Sequence, residues 1–162
     1  MYKRLRLRGL NRIIMNKIRV TKEFSFEMAH ALWNYDGACR NIHGHSYRLF
    51  VTILGISETD ENQVKFGMVM DFKDLKTIVK KNVVDELDHS LVVFRKAEGE
   101  SLDSVRKMYE KVIVFDFQPT CENLVAHISD ILIPELPEEI ALHSLKLFET
   151  ATSYAEWHAS DN

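Results

Sequence analysis

Three histidines, His30, His43 and His45, have the type and spacing that a zinc site requires. Residues two apart on a strand point to the same face, so both imidazoles of the His43-Gly44-His45 tripeptide can reach one metal ion. His30 ends the preceding apolar stretch and comes close if the two strands pair. Three histidines with an open fourth position are typical of a catalytic zinc ion acting as a Lewis acid. A histidine pair alone is common without a metal.

Cys39 lies in the same polar loop as the histidine pair, a few residues before His43. It is open to three interpretations: a small buried apolar thiol, a metal ligand, or a nucleophile or base. Arg40 and a nearby metal ion would favour its thiolate. A thiol that moves protons needs a partner, and Asp88-His89 provides a carboxylate beside an imidazole. The competing interpretation of that pair is a helix terminus, where a histidine is favoured by the helix dipole.

The elements that position these side chains follow from hydrophobic periodicity. Strands are predicted over 18–28, 45–55, 111–116 and 141–155, with a loop over 33–44 and a polar connection over 56–66. A helix is predicted over 72–86 with Asp71 as its N-cap, and a second helix follows Thr120 and ends at Pro134. Residues 88–95 hold a short apolar run, and 96–110 form a loop or a surface helix. The order β-β-α-β-α-β predicts an α+β fold, an antiparallel sheet with helices on one face.

Length and composition set the class of protein. The chain has 162 residues, 46% of them hydrophobic and few of them glycine or proline, which predicts a single globular domain. No apolar run approaches the roughly 20 residues of a membrane span, so no membrane partner is expected. With only two cysteines, Cys39 and Cys121, a disulfide framework is not expected and a reducing cytoplasm fits.

The charge of the chain is unevenly distributed. Residues 1–14 contain basic residues and no acidic ones, so the rest is more acidic than the net charge of −3 indicates. An acidic body makes nucleic acid an unexpected partner. We expect residues 1–16 to be a basic N-terminal extension, either disordered or the product of a start codon assigned too early, with Met15 as the true start. A signal peptide is not expected, because no apolar core follows the basic residues.

Six ordered motifs resemble the 6-pyruvoyltetrahydropterin synthase family, which includes the bacterial 6-carboxytetrahydropterin synthases. They span about residues 18–155. The motifs are Phe26-Glu27-Met28-Ala29-His30, Cys39-x-x-x-His43-Gly44-His45-Ser46-Tyr47, Gly67-Met68-Val69-Met70-Asp71-Phe72, Leu87-Asp88-His89, Pro119-Thr120-Cys121-Glu122-Asn123 and Phe148-Glu149-Thr150.

This resemblance implies a T-fold (tunnelling fold) in which each subunit has a four-stranded antiparallel sheet with two helices on one face. Three subunits would close a barrel, and two barrels would stack into a homohexamer with active sites at subunit interfaces. Residues 17–158 would then form a single catalytic domain.

The resemblance also implies roles for individual residues. His30, His43 and His45 match the zinc ligands. Cys39, Asp88 and His89 match the catalytic residues that move protons, and Glu149 matches the glutamate that anchors the pterin ring. A carboxylate can accept two hydrogen bonds from a pterin. The competing interpretation is that Glu149 is an ordinary exposed strand residue. Thr120 and Glu122 either shape the pterin pocket or only begin a helix. Cys121, His127, His143 and His158 are expected to be structural or ordinary residues.

The family divides by product. Cys39 is expected to exclude the branch that carries glutamate there, and the three residues between Cys39 and His43 favour the bacterial type. The resemblance thus implies a zinc-dependent lyase that converts 7,8-dihydroneopterin triphosphate to 6-carboxy-5,6,7,8-tetrahydropterin, acetaldehyde and triphosphate, on the route to queuosine. The alternative product is 6-pyruvoyltetrahydropterin. Other open alternatives are a different T-fold enzyme, a zinc hydrolase that uses the same three histidines and would not need Cys39, and a binding module without turnover.

Overall fold

The computed structural model describes residues 16–97 and 100–162. Apart from Asn16, the predicted basic extension lies outside the described residues. The strands are β1 (Lys17–His30), β2 (His43–Ile56), β3 (Ser90–Phe94), β4 (Val112–Phe115), β5 (Ala141–Phe148) and β6 (Tyr154–His158). The helices are α1 (Phe72–Val79), α2 (Asp85–Leu87), α3 (Glu100–Met108) and α4 (Cys121–Leu132).

The described strands form one sheet in the order β4-β3-β1-β2-β5-β6. Within the set β1, β2, β5 and β6, adjacent strands pair antiparallel. The sheet has six strands rather than four, because β3 pairs parallel to the end of β1 and β4 pairs parallel to β3. β4 is the strand predicted over 111–116, whereas β3 comes from the short apolar run at 88–95. The parallel pairing of these two strands joins segments that are distant in the sequence, so local periodicity does not reveal it. The α+β T-fold class is confirmed.

β1 and β2 pair along their whole length, from Lys17 opposite Ile56 to His30 opposite His43. Their apolar residues alternate, so Phe24, Phe26, Met28 and His30 of β1 are buried and the residues between them are more exposed. Partners across two strands lie on the same face of a sheet. The end of the hairpin therefore brings three histidines to one face.

The main hydrophobic core lies between the sheet and the helices α1, α2 and α4. Its fully buried side chains include Tyr47, Leu49, Leu75 and Ile128. A second, smaller core lies on the opposite face, where Leu102 of α3 packs with Leu91 and Val93 of β3. Helix α3 occupies the segment expected to be a loop or a surface helix.

The helix predicted over 72–86 is one continuous helical segment, since a π-helical turn at Lys80–Val84 joins α1 to α2. Asp71 caps it by accepting a hydrogen bond from the Lys73 backbone N–H at 2.7 Å. Thr120 caps α4 by accepting from the Asn123 backbone N–H. Among the described residues, no helix combines the length and hydrophobicity needed to cross a membrane.

The prediction of a single strand over 141–155 is wrong, because a turn divides this segment into β5 and β6. The Glu149 and Thr150 backbone N–H groups both donate to the Ser153 carbonyl. The Thr150 hydroxyl accepts from the backbone N–H groups of Thr152 and Ser153. Threonine and serine make this turn without glycine or proline, so the usual sequence signals are missing. Glu149 consequently lies at the end of β5, beside the histidines.

Candidate active site

The three predicted metal ligands, His30, His43 and His45, lie together at the end of the β1–β2 hairpin. One ligand atom from each falls within 4.8 Å of the other two. His30 is buried, while His43 and His45 are partly exposed. The group is thus anchored in the core on one side and open to a ligand on the other.

Two backbone carbonyls fix the orientation of His30 and His43. The Nδ1 atom of His30 contacts the Pro119 carbonyl at 2.7 Å, and the Nδ1 atom of His43 contacts the Asn41 carbonyl at 2.8 Å. Because a carbonyl oxygen only accepts hydrogen bonds, each Nδ1 carries the proton and donates. The Nε2 atom of each neutral ring is then left with a free lone pair, the arrangement typical of metal-bound histidine.

In the part of the chain that the structure describes, these lone pairs have no good partner. The Nε2 atoms of His30 and His43 face each other at 3.1 Å, so two acceptors are in contact. The buried Nε2 of His45 has no hydrogen-bond partner among the described residues. Burial lowers the pKa of His30, which favours the neutral form that a metal ion requires. The donor set therefore fits a zinc ion.

Glu149, predicted to anchor the pterin, lies beside this cluster. Its Oε1 atom is 3.7 Å from Nε2 of His30 and 4.0 Å from Nε2 of His45. The hydroxyl of Tyr47 donates to the same oxygen at 3.4 Å. Burial raises the pKa of Tyr47, so its hydroxyl keeps its proton. The other carboxylate oxygen has no hydrogen-bond partner within the described part of the chain, which leaves it available to a ligand.

Cys39 lies in a short 3₁₀ turn, Ala38–Arg40, within the loop that joins His30 to His43. Its side chain is partly buried, and its carbonyl accepts from the Leu32 backbone N–H at 2.9 Å. The loop thus begins and ends at metal-cluster histidines. A role of the Cys39 thiol beside the cluster stays a prediction.

Asp88 and His89 are held together at the end of α2. Oδ2 of Asp88 lies 3.0 Å from Nδ1 of His89. Glu27 of β1 fixes both residues: its N–H donates to the Asp88 carboxylate at 2.8 Å, and its carbonyl accepts from the His89 N–H at 2.6 Å. The hydrogen bond from Glu27 lowers the pKa of the Asp88 carboxyl. An ionised Asp88 can therefore orient the imidazole.

The structure does not bring His89 to the cluster within one chain. His89 is 78% exposed and lines a groove of about 880 Å³ to which His45 also contributes. Four other residues of β1 and β2 line the same groove, namely Glu27, Ala29, Gly44 and Ser46. These β1 and β2 positions alternate with those of the histidine cluster and so belong to the opposite face of the sheet. No hydrogen bond or ion pair joins Cys39 to Asp88 or His89 in the described part of the chain.

The remaining predicted residues surround the beginning of α4. Thr120 is partly buried and serves as the N-cap, next to the Pro119 carbonyl that binds His30. Glu122 is exposed in the first helical turn, where a negative charge is favoured by the helix dipole. Cys121 is buried, its thiol donates to the Leu147 carbonyl, and burial raises its pKa to about 11, in agreement with a structural role.

Sequence reasoning missed several residues that shape the site. Tyr47 could have been found, because it follows His45 by two positions and so shares its face of β2. Glu27 and Lys111 could not, since the contacts of both are long-range. The Lys111 ammonium group donates to the Asp85 and Asp88 carbonyls at 2.8 and 2.6 Å, which fixes the end of α2.

Comparisons with known proteins find similarity to one family over most of the chain. A profile of the family described as 6-pyruvoyl tetrahydropterin synthase matches residues 19–160. A 6-carboxy-5,6,7,8-tetrahydropterin synthase from Haemophilus influenzae is 38% identical over 141 residues, covering 86% of this chain and 97% of the relative. A protein of the same name from Aquifex aeolicus is 32% identical, covering 87% of this chain and 98% of the relative.

Solved structures show the same fold. An uncharacterized protein from Wolinella succinogenes matches with a TM-score of 0.70 at 22% identity, covering 89% of this chain and 99% of the other. The 6-pyruvoyl tetrahydropterin synthase from Caenorhabditis elegans matches with a TM-score of 0.64 at 23% identity, covering 90% and 97% respectively.

Proposed function

This chain belongs to the 6-pyruvoyl tetrahydropterin synthase family, and from that membership we propose that it is a zinc-dependent lyase acting on 7,8-dihydroneopterin triphosphate. Its products are 6-carboxy-5,6,7,8-tetrahydropterin, acetaldehyde and triphosphate. The choice of the carboxy product is supported by relatives of that name at up to 38% identity. The alternative, a 6-pyruvoyl product, is supported by the description of the family.

The observation that carries the metal-dependent part is the set of converging Nε2 atoms of His30, His43 and His45. Two of them are left with lone pairs by their carbonyl partners, and the third is buried without a partner among the described residues. These histidines would hold a zinc ion, which supplies a Lewis acid for a substrate oxygen.

The other side chains have separate tasks in this proposal. Glu149 accepts hydrogen bonds from the pterin ring, with one carboxylate oxygen oriented by Tyr47. The Cys39 thiol and the His89 imidazole exchange protons with the pterin side chain, and Asp88 keeps Nδ1 of His89 protonated. Thr120 and Glu122 border the pterin pocket. Residues 17–158 form the catalytic domain.

Assembly completes the site in this proposal. Cys39 lies in the loop between β1 and β2, and no hydrogen bond or ion pair joins it to His89 among the described residues of one chain. A homohexamer with active sites at subunit interfaces brings Cys39 of one subunit to His89 of another. A cytoplasmic location and a place in queuosine biosynthesis belong to the same proposal.

The test is incubation of the purified, zinc-loaded protein with 7,8-dihydroneopterin triphosphate, with products identified by mass spectrometry and acetaldehyde measured alongside. The carboxy product together with acetaldehyde supports the proposal. A 6-pyruvoyl product without acetaldehyde favours the alternative. Full activity in Cys39→Ala would point to a zinc hydrolase, and bound pterin without turnover to a binding module.

A further inference from the structure

The loop that carries Cys39 is held by an amide side chain from a distant part of the chain. Gln118 accepts a hydrogen bond from the Trp33 backbone N–H at 2.9 Å through Oε1. It also donates from Nε2 to the Trp33 carbonyl at 2.8 Å. One side chain thus satisfies both backbone groups of a loop residue that is 85 positions away. The pairing resembles one step of a β-ladder, with the amide in place of a second strand.

Trp33 is coupled to Cys39 through the residue before it in the chain. Its neighbour Leu32 donates its backbone N–H to the Cys39 carbonyl at 2.9 Å, which closes the neck of the loop. Within the loop, Ala38 accepts from Asn41 through backbone and side-chain bonds. Because the loop is closed in this way, a displacement at Trp33 is transmitted to Cys39.

Gln118 is itself fixed to the metal cluster. Its carbonyl accepts from the Thr120 N–H at 2.8 Å and from the Asn123 side chain at 2.9 Å, which ties it to the beginning of α4. The next carbonyl, that of Pro119, holds His30. Residues 118 and 119 therefore hold the loop and a metal ligand from one rigid segment.

We propose that Gln118 is a positioning residue that sets the location of the Cys39 thiol relative to the histidine cluster. The proposal rests on the proposed function, in which Cys39 moves protons at the pterin side chain. Gln118 itself touches no reacting atom. Misplacement of a reacting group by a fraction of its contact distance is enough to slow catalysis substantially.

The experiment compares wild type with Gln118→Met and Gln118→Glu. Methionine keeps the length of the side chain and removes both hydrogen bonds. Glutamate can still accept from the Trp33 N–H but repels its carbonyl, so its effects should be smaller. The matched control is Gln63→Met, the same substitution at an exposed glutamine in the 56–71 connection.

Labelling by iodoacetamide, followed peptide by peptide with mass spectrometry, reports on the loop without any turnover. In Gln118→Met, Cys39 should react about threefold faster or more, since two tethering hydrogen bonds are lost. The buried Cys121 should react no faster, and the zinc content should equal that of wild type. With 7,8-dihydroneopterin triphosphate, kcat should fall about tenfold while KM stays within about twofold.

Several results would overturn the proposal. They are labelling of Cys39 in Gln118→Met at the wild-type rate, a joint acceleration at Cys39 and Cys121 that indicates general loosening, and the same changes in Gln63→Met. Failure of the proposed function is a distinct result, in which wild type itself does not turn over the pterin. The labelling rates alone then decide whether Gln118 positions Cys39.

Discussion

At the residue scale, two backbone carbonyls determine what the histidine cluster can do. Pro119 and Asn41 hold the Nδ1 protons of His30 and His43 and so direct both Nε2 lone pairs into the cluster. Partners of this kind, outside the ligand shell, commonly contribute 10–100-fold to metal affinity. The site is therefore arranged by hydrogen bonds within the protein rather than by the metal ion alone.

Replacing a ligand should abolish metal binding. In His45→Ala, the loss of one of three ligands should lower zinc affinity more than about 100-fold. Zinc per chain after gel filtration, measured by inductively coupled plasma mass spectrometry, provides the check. His158→Ala, which removes a histidine of β6 outside the cluster, is the control. Full zinc retention in His45→Ala would contradict the assignment of this ligand.

Tyr47 should influence substrate binding through Glu149. Tyr47→Phe keeps the buried ring, including its stacking on Phe26, and removes the hydroxyl that donates to Glu149. A lost hydrogen bond to a charged group is worth about 1.5–3 kcal/mol at most, so we expect KM to rise about tenfold. Zinc content should not change. An unchanged KM, with unchanged pterin binding by fluorescence quenching, would show that Glu149 does not depend on Tyr47.

At the element scale, the N-terminus of α4 combines a structural and a functional position. Thr120→Ala removes the N-cap and should destabilise the protein by about 1 kcal/mol. Asp71→Ala removes the N-cap of α1 and should cost a similar amount. Thermal unfolding measures both. Only Thr120→Ala should also raise KM, because Thr120 borders the proposed pterin pocket. Equal KM values in both variants would show that Thr120 only caps the helix and does not take part in substrate binding.

The sequence predicts the elements whose signals are local. Asp71 and Thr120 are recognisable N-caps, because the capping residue and its partner lie two or three positions apart. The turn after Glu149 is not recognisable, since Thr150 builds it without glycine or proline. The strand β4 is predicted from its apolar run, but its parallel pairing with β3, and that of β3 with β1, is not recognisable, because it joins segments far apart in the chain.

The candidate site divides in the same way. His43 and His45 are predictable from strand alternation, and His30 from the pairing of neighbouring strands. The hydrogen bonds between Gln118 and Trp33 join residues 85 positions apart, and no pattern in the sequence predicts them. The lack of a hydrogen bond or an ion pair between Cys39 and His89 in the described part of the chain likewise depends on the complete topology.

At the scale of the whole molecule, the proposed catalytic residues Cys39 and His89 are not joined by a hydrogen bond or an ion pair in the described part of one chain. If subunits complete each other's sites, Cys39→Ala and His89→Ala should each be inactive alone. Mixed oligomers formed by co-expression or by refolding together should regain part of the activity, because some interfaces then contain both intact residues. Assays of mixtures before and after subunit exchange provide the measurement. No recovery despite confirmed mixing would place the whole site within one chain.

The sheet ends in two strands, β4 and β6, that have no further partner among the described residues. Open strand edges present unpaired N–H and C=O groups that attract other chains, and β4 consists of Val112, Ile113, Val114 and Phe115 without a charge. A newly synthesised chain must therefore avoid aggregation through these edges before it can become active. Substitutions that delay the pairing of these edge strands will reduce the yield of soluble protein, because the variant chains will aggregate or be degraded.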